Sequence, residues 1–158
     1  MGWIILGAVV ALIAIVLIRT LTLKPTPAKT LKLEFEKSER ATKYGQQLAK
    51  MIQDETISSR FEQDMSKFEK FHKTLEELFP LVHKTCEKHD LDGNLLYKWK
   101  GKSDKNPILF MSHQDVVEAT GVWEHEPFSG DIDEDGNVWG RGTVDTKGSL
   151  FCIFTALE

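Results

Sequence analysis

A histidine and two aspartates in the last third of the chain have the residue types and spacing of a metal site. One residue separates His113 from Asp115, so in an extended segment the two side chains point to the same side. A neutral imidazole binds a divalent metal through one nitrogen, and a carboxylate near the other ring N–H fixes the tautomer. We interpret His113 as a candidate metal ligand and Asp115 as the carboxylate that orients it.

The second aspartate, Asp145, strengthens the metal interpretation. It follows Gly140-Arg141-Gly142, where glycines allow tight backbone geometry, and it precedes a helix predicted to begin near Lys147. A carboxylate can bridge two metal ions about 3.5 to 4 Å apart, a spacing used to activate a water and polarise a carbonyl. Without Asp145, the histidine and aspartate pair would be better explained as part of a surface turn.

Two other motifs overlap this region, and neither fits. The run Asp131-x-Asp133-x-Asp135-Gly136 begins like a calcium-binding EF-hand loop, but its twelfth position is Gly142 and no helix pair flanks it. The start of a dinucleotide-binding fingerprint at Gly140-x-Gly142 fails because Asp145 takes the third glycine position. We expect a hairpin turn at Asp135-Gly136 instead.

Helical segments are predicted before the site. A helix follows Ser38, a plausible N-cap, and a second helix stops at Pro80. We interpret their apolar stripes as core faces, and the stripe of the second helix consists of Phe61, Met65, Phe68, Leu75 and Leu78. A third helix is predicted at about Leu81 to His89. Its His83, Cys86 and His89 are not expected to bind zinc, because side chains at this spacing diverge by about 120° in total.

Strand patterns follow these helices. Asp92-Gly93-Asn94 predicts a turn. The alternation of apolar and polar residues from Leu95 to Lys100 predicts a strand with one solvent-exposed face. Pro107 opens an apolar run, Ile108–Met111, which is typical of a strand covered on both faces. This order of elements predicts an α/β layer architecture, in which the carboxyl end of a strand is a common ligand site.

The N-terminal segment is apolar. Gly2–Ile18 contains no charged residue and reaches about 25 Å as a helix, so we expect a transmembrane anchor at 2–23. A cleaved signal peptide is the less favoured alternative, because no Lys or Arg precedes the run. The positive-inside rule alone would put the rest of the chain in the cytoplasm, since basic residues follow the span: Arg19, Lys24, Lys29 and Lys32.

Composition narrows the classes of protein. The 158 residues suit one domain, and a proline-containing stretch at 24–37 predicts a linker before a domain at 38–158. The net charge of -4 makes nucleic acid an unexpected partner. Cys86 and Cys152 are distant in sequence and are predicted to be free thiols. They therefore do not indicate whether the protein resides in an oxidising or a reducing compartment.

Three stretches resemble a known family. His113–Val117, Pro127–Gly130 with the nearby Trp123, and Gly140–Gly148 are similar to the two N-terminal signatures of the aminoacylase and carboxypeptidase S family of di-zinc metallopeptidases. The similarity spans about Phe68 to Glu158 and is greatest to the branch of carboxypeptidase S and the N-acyl-amino-acid hydrolases.

The resemblance implies a fold and a set of roles. The fold would be the N-terminal part of a zinc-exopeptidase-like three-layer α/β/α catalytic domain, preceded by one transmembrane helix. His113 would bind one zinc, Asp115 would orient it, and Asp145 would bridge two zincs, although other divalent metals also suit such ligands. The family often has a cis peptide after the bridging aspartate, so Asp145-Thr146 is a candidate. The substrate would be a peptide or an N-acyl amino acid, and the whole protein could dimerise.

The chain departs from the family pattern at a few positions. Proline is common in the family where Glu118 and Glu126 stand, and an acidic residue is common where Thr146 stands. The helix from Ser149 to Glu158 lacks a stop signal, so we expect an N-terminal fragment, inactive alone, whose further ligands and general base lie downstream. The alternative is a non-catalytic membrane-tethered module that lacks a complete metal site.

Overall fold

The structure, a computed structural model, describes residues 2–24, 38–59, 64–103 and 105–158. The chain divides into two compact units, Met1–Phe35 and Glu36–Glu158. Apart from Lys24, the predicted linker at 24–37 lies outside the described residues, and so does Phe61 of the predicted second helix.

The first unit contains helix α1 (Gly2–Thr22), whose side chains are all exposed. The hydroxyls of Thr20 and Thr22 donate to the carbonyls of Val16 and Ile18, at 2.9 and 2.7 Å, so these two hydroxyls are satisfied within the helix. The helix is long and apolar enough to cross a membrane, a property that an N-terminal signal sequence shares.

Two amphipathic helices open the second unit. Helix α2 (Glu39–Ile52) begins at Ser38, whose hydroxyl accepts from the Ala41 N–H at 3.2 Å and confirms the predicted N-cap. Helix α3 (Met65–Leu78) begins after Asp64, whose carboxylate accepts from the Ser66 N–H at 3.1 Å. It ends two residues before Pro80, as the sequence predicts, because proline has no N–H to continue the ladder.

The core of this unit lies where four helices meet. These are α2, α3, the short helix α4 (Pro80–Thr85) and the last helix α5 (Lys147–Leu157). Phe79 joins α3 to α4 and packs on Phe151 and Phe154, with ring centroids 6.0 and 5.2 Å apart. The buried cluster comprises Met51, Phe71, Leu75, Phe79, Val82, Cys86, Phe151 and Phe154. Burial of each phenylalanine side chain contributes about 1.5 to 3 kcal/mol to the folding stability of the unit.

The predicted third helix is shorter than expected. It ends at Thr85, and His89 lies in strand β1 (Glu87–Leu91), which pairs antiparallel with β2 (Asn94–Lys98). The tight turn at Asp92 and Gly93 explains the difference, because both residues have positive φ, 54° and 83°, as a two-residue hairpin loop requires. The hairpin draws residues 87–91 into a strand.

Cys86 is buried and Cys152 is exposed, and both cysteines are free thiols, as predicted.

The prediction of a doubly covered strand at Pro107 is wrong for this structure. Residues 107–111 form no strand, and Ile108, Leu109, Phe110 and Met111 are 79, 69, 65 and 80% exposed. Covering an apolar strand on both faces requires a paired sheet with layers above and below. Within the described ranges the sheet is the β1–β2 hairpin alone, so these side chains instead border an open groove of about 780 Å³.

The long connection to α5 contains the predicted turn at Asp135-Gly136. Its Asp133 carboxylate accepts from the N–H groups of Asp135 and Asn137, at 3.0 and 2.8 Å, and Ile132 and Val138 form an antiparallel bridge. Hydrogen bonds from the side chains of Asn137, which has the larger effect, and Trp139 lower the pKa of Asp133 to about 2. The turn is therefore closed by a carboxylate, with no calcium loop required.

Candidate metal centre

His113 lies between the two predicted carboxylates. Its Nδ1 is 2.9 Å from the Asp115 carbonyl oxygen and 3.2 Å from Asp115 Oδ1, while its Nε2 is 3.0 Å from Asp145 Oδ1. Both neighbours of Nδ1 are acceptors, so this nitrogen carries a proton. Burial lowers the pKa of His113, but hydrogen bonds to the Asp115 backbone and to the Asp145 carboxylate outweigh it, so the net shift is upward.

A segment that the sequence analysis did not single out holds Asp115. Ser58 Oγ donates to Asp115 Oδ2 at 2.5 Å. The backbones of the two segments pair in parallel, with Val116 N–H donating to Thr56 O at 2.8 Å and Ser58 N–H donating to Val116 O at 3.0 Å. Ser58 belongs to no motif and is 57 residues from its partner, so no signal in the sequence identified it.

Between His113 and Asp115, Gln114 points to the opposite side, as the alternation predicts. Its Oε1 is 2.9 Å from Nε2 of the buried His72, and its Nε2 donates to Gly93 O at 2.5 Å. The buried Thr56 hydroxyl donates to Gln114 O at 2.6 Å. Thus Gln114 ties the short site segment to α3 and to the hairpin, while its neighbours face the site.

Asp145 lies at the junction of a turn and α5, as predicted. Its side chain is 84% exposed, against 49% for His113. The turn before it needs Gly142, whose φ is +94° and whose added Cβ would lie 2.8 Å from Val116 Cγ1. The peptide bond Asp145–Thr146 is cis, which confirms that expectation.

The first residue of α5, Lys147, is fully buried beneath this junction. Its Nζ donates to the carbonyls of Met51 and Asp54, at 3.0 and 2.5 Å, and lies 4.7 Å from the centroid of the Phe71 ring. Burial lowers the pKa of Lys147 to about 8. This lysine fixes the start of α5 to the end of α2, a role that the sequence did not reveal.

The donor set fits part of a zinc site. A nitrogen and an oxygen bound to one tetrahedral zinc at about 2.0 to 2.2 Å would lie roughly 3.3 Å apart, close to the observed separation of His113 Nε2 and Asp145 Oδ1. A complete site needs more ligands. Among the described residues, no group of three or more His, Cys, Asp or Glu side chains could hold a metal ion.

Comparisons with known proteins agree with the motifs. Residues 109–158 match the model of peptidase family M20/M25/M40. "Probable carboxypeptidase S-like 2" of Dictyostelium discoideum is 42% identical over 72% of this chain and 23% of its own length. "Carboxypeptidase S" of Saccharomyces cerevisiae is 37% identical over 68% of this chain and 20% of its own.

A vertebrate relative extends the match over nearly the whole chain. "N-fatty-acyl-amino acid synthase/hydrolase PM20D1" of Xenopus tropicalis is 35% identical over 97% of this chain and 32% of its own length. This chain belongs to the M20 peptidase family. It spans about a fifth to a third of the length of these relatives. Membership favours the hydrolase interpretation over the non-catalytic module.

Proposed function

We propose that this M20 chain supplies part of the active site of a zinc-dependent hydrolase that cleaves peptide or N-acyl-amino-acid amide bonds. The observation that carries the proposal is the position of the His113 imidazole between the carboxylates of Asp115 and Asp145. The names of the relatives, a carboxypeptidase and an N-fatty-acyl-amino acid synthase/hydrolase, support these two substrate classes.

Each of the three side chains has a distinct role in the proposal. His113 would bind one zinc through Nε2, since its Nδ1 proton is held by Asp115. Asp145 is solvent-accessible on the other side of the ring and would offer its two oxygens to two metal ions. When bound, zinc supplies Lewis-acid polarisation of the scissile carbonyl. Two ligands cannot complete such a site, so the proposal requires further ligands from outside the described residues.

The test uses the whole protein, a panel of dipeptides and N-acyl amino acids, and detection of the free amino acid released. Chelation should abolish release, and added Zn²⁺ should restore it. His113→Ala and Asp145→Asn should abolish both activity and stoichiometric zinc binding, and Asp115→Asn should weaken zinc binding about 10- to 100-fold. Amide hydrolysis that survives both chelation and His113→Ala would refute the proposal.

Matched controls separate these effects from general damage. His89→Ala removes a surface histidine whose partner is Glu87, at 3.1 Å, and Asp131→Asn removes a surface carboxylate that faces His125, at 3.3 Å. Neither residue is near the candidate centre in the described contacts, so both variants should retain zinc binding and activity.

We also propose that the second unit is part of a three-layer α/β/α domain and that α1 anchors it to a membrane. The four packed helices would form one outer layer, and further layers would pack against the open groove of about 780 Å³.

Alkaline extraction of membranes tests the anchor, because an anchored protein stays with the lipid whereas a cleaved signal sequence leaves a shorter, extractable protein.

A further inference from the structure

The two segments that carry the candidate ligands are joined by hydroxyl groups. Thr146 Oγ1 donates to His113 O at 2.8 Å and accepts from His113 N–H at 3.2 Å. Ser112 Oγ lies 2.8 Å from Thr146 Oγ1 and 3.0 Å from Thr146 O. The contacts connect residues that are 33 and 34 positions apart in the sequence.

The ligand side chains themselves have little packing to hold them. Asp145 is 84% exposed at its side chain and His113 is 49% exposed. An exposed ion pair loses side-chain entropy when it is held in one geometry, so such a pair contributes little to its own ordering. The separation of 3.0 Å between Nε2 and Oδ1 must therefore depend largely on how the two backbones are fixed.

A hydroxyl is suited to fix them, because one oxygen can both donate to a carbonyl and accept from an N–H. A carboxylate at the same place could accept but not donate, and a valine could do neither. We propose that Thr146 is a positioning residue: its hydroxyl holds the His113 backbone against the residue that follows Asp145 and so sets the His113–Asp145 pair for metal binding. The metal part of this inference rests on the proposed function.

The experiment removes the hydroxyl and then restores it. Thr146→Val deletes the donor and acceptor with little change of shape, and Thr146→Ser keeps both. The matched control is Thr42→Val, which removes a threonine bond to the Ser38 carbonyl, at 3.3 Å, in α2. Ser112→Ala is a second, milder variant in case Thr146→Val does not fold, as judged by circular dichroism and thermal unfolding.

Two readouts are measured. The first is the Zn²⁺ affinity of the whole protein, by competition with a chromophoric chelator. Thr146→Val should bind about 10-fold more weakly, Ser112→Ala about 3-fold more weakly, and Thr146→Ser and Thr42→Val within about 2-fold of the wild type. The second is the set of ¹H and ¹⁵N resonances of the His113 imidazole in the metal-free 158-residue chain in detergent micelles, assigned with His113→Gln.

In the second readout Thr146→Val should shift or broaden the His113 resonances, and Thr146→Ser should leave them unchanged. The inference is overturned if Thr146→Val matches the wild type in the His113 spectrum, or if Thr146→Ser is as defective as Thr146→Val. A wild-type protein that binds no zinc would refute the proposed function, while the metal-free spectra would still decide the role of Thr146.

Discussion

Replacing Ser58 by alanine isolates one hydrogen bond of the candidate centre. Ser58 Oγ donates to Asp115 Oδ2 at 2.5 Å, while the Ser58 N–H donates to the carbonyl of Val116 at 3.0 Å. The alanine variant loses only the first bond, because the second is made by the backbone. Any change in the site can therefore be assigned to the free carboxylate, with the segment itself still paired.

The structure sets the size of the expected effect. A hydrogen bond to an ionised carboxylate is worth about 1.5 to 3 kcal/mol when water cannot replace it. The Asp115 side chain is 41% exposed, so water recovers part of that energy, and we expect a loss of about 1 kcal/mol in unfolding free energy. A carboxylate freed to rotate leaves the Asp115 carbonyl, at 2.9 Å, as the remaining fixed partner of His113 Nδ1, and zinc affinity should fall about 10-fold.

Urea unfolding of the chain and zinc competition in the whole protein measure the two effects. Ser58→Thr keeps the hydroxyl and should behave as the wild type. Ser66→Ala is the matched control, because it removes the same kind of bond, from Ser66 Oγ to Asp64 Oδ1 at 2.6 Å, at the start of α3. The reasoning fails if Ser58→Ala leaves zinc affinity unchanged, or if Ser66→Ala lowers it equally.

Three further predictions concern the surroundings of the site. Gly130→Ala should cost about 2 to 4 kcal/mol in urea unfolding, because φ is +65° and the new Cβ would lie 2.5 Å from Ala49 O. Lys147→Met should cost about 2 kcal/mol in the same assay, since it removes the donor to the carbonyls of Met51 and Asp54. The pKa of Asp133 is depressed to about 2, so its contribution to stability is present above pH 4 and lost as pH falls towards 2. Unfolding measured over that range should show a smaller acid-induced loss for Asp133→Asn; an equal loss would contradict the assignment.

Features encoded by neighbouring residues were predictable from the sequence. The N-cap at Ser38 and the turn at Asp135-Gly136 each depend on contacts within a few positions. The alternation that puts His113 and Asp115 on one side is also local, and the structure places the Asp115 carboxylate 3.2 Å from the His113 imidazole. Their roles as ligand and orienting residue remain predictions, because geometry alone does not test metal binding.

Features that depend on distant partners were not predictable. The apolar run Ile108–Met111 has the composition of a buried strand, but composition does not reveal whether covering layers are present. The segment 81–89 has helical spacing as far as His89, yet pairing with Asn94–Lys98 converts its end into a strand. In both cases the local pattern is not sufficient, because the result depends on whether other segments cover the stretch or pair with it.

The segment from Met51 to Ser58 supports both halves of the candidate centre, and no sequence pattern predicted this role. Its first part accepts from Lys147 through the carbonyls of Met51 and Asp54, and so positions the helix that follows Asp145. Its last part pairs with residues 114–116 and bonds to the Asp115 carboxylate through Ser58. Because one short segment contacts both ligand-bearing regions, a shift of this segment would change both together. The exposed candidate ligands thus depend on a support that is itself half buried, through Met51, Ile52, Asp54 and Thr56, and that carries no chemical motif.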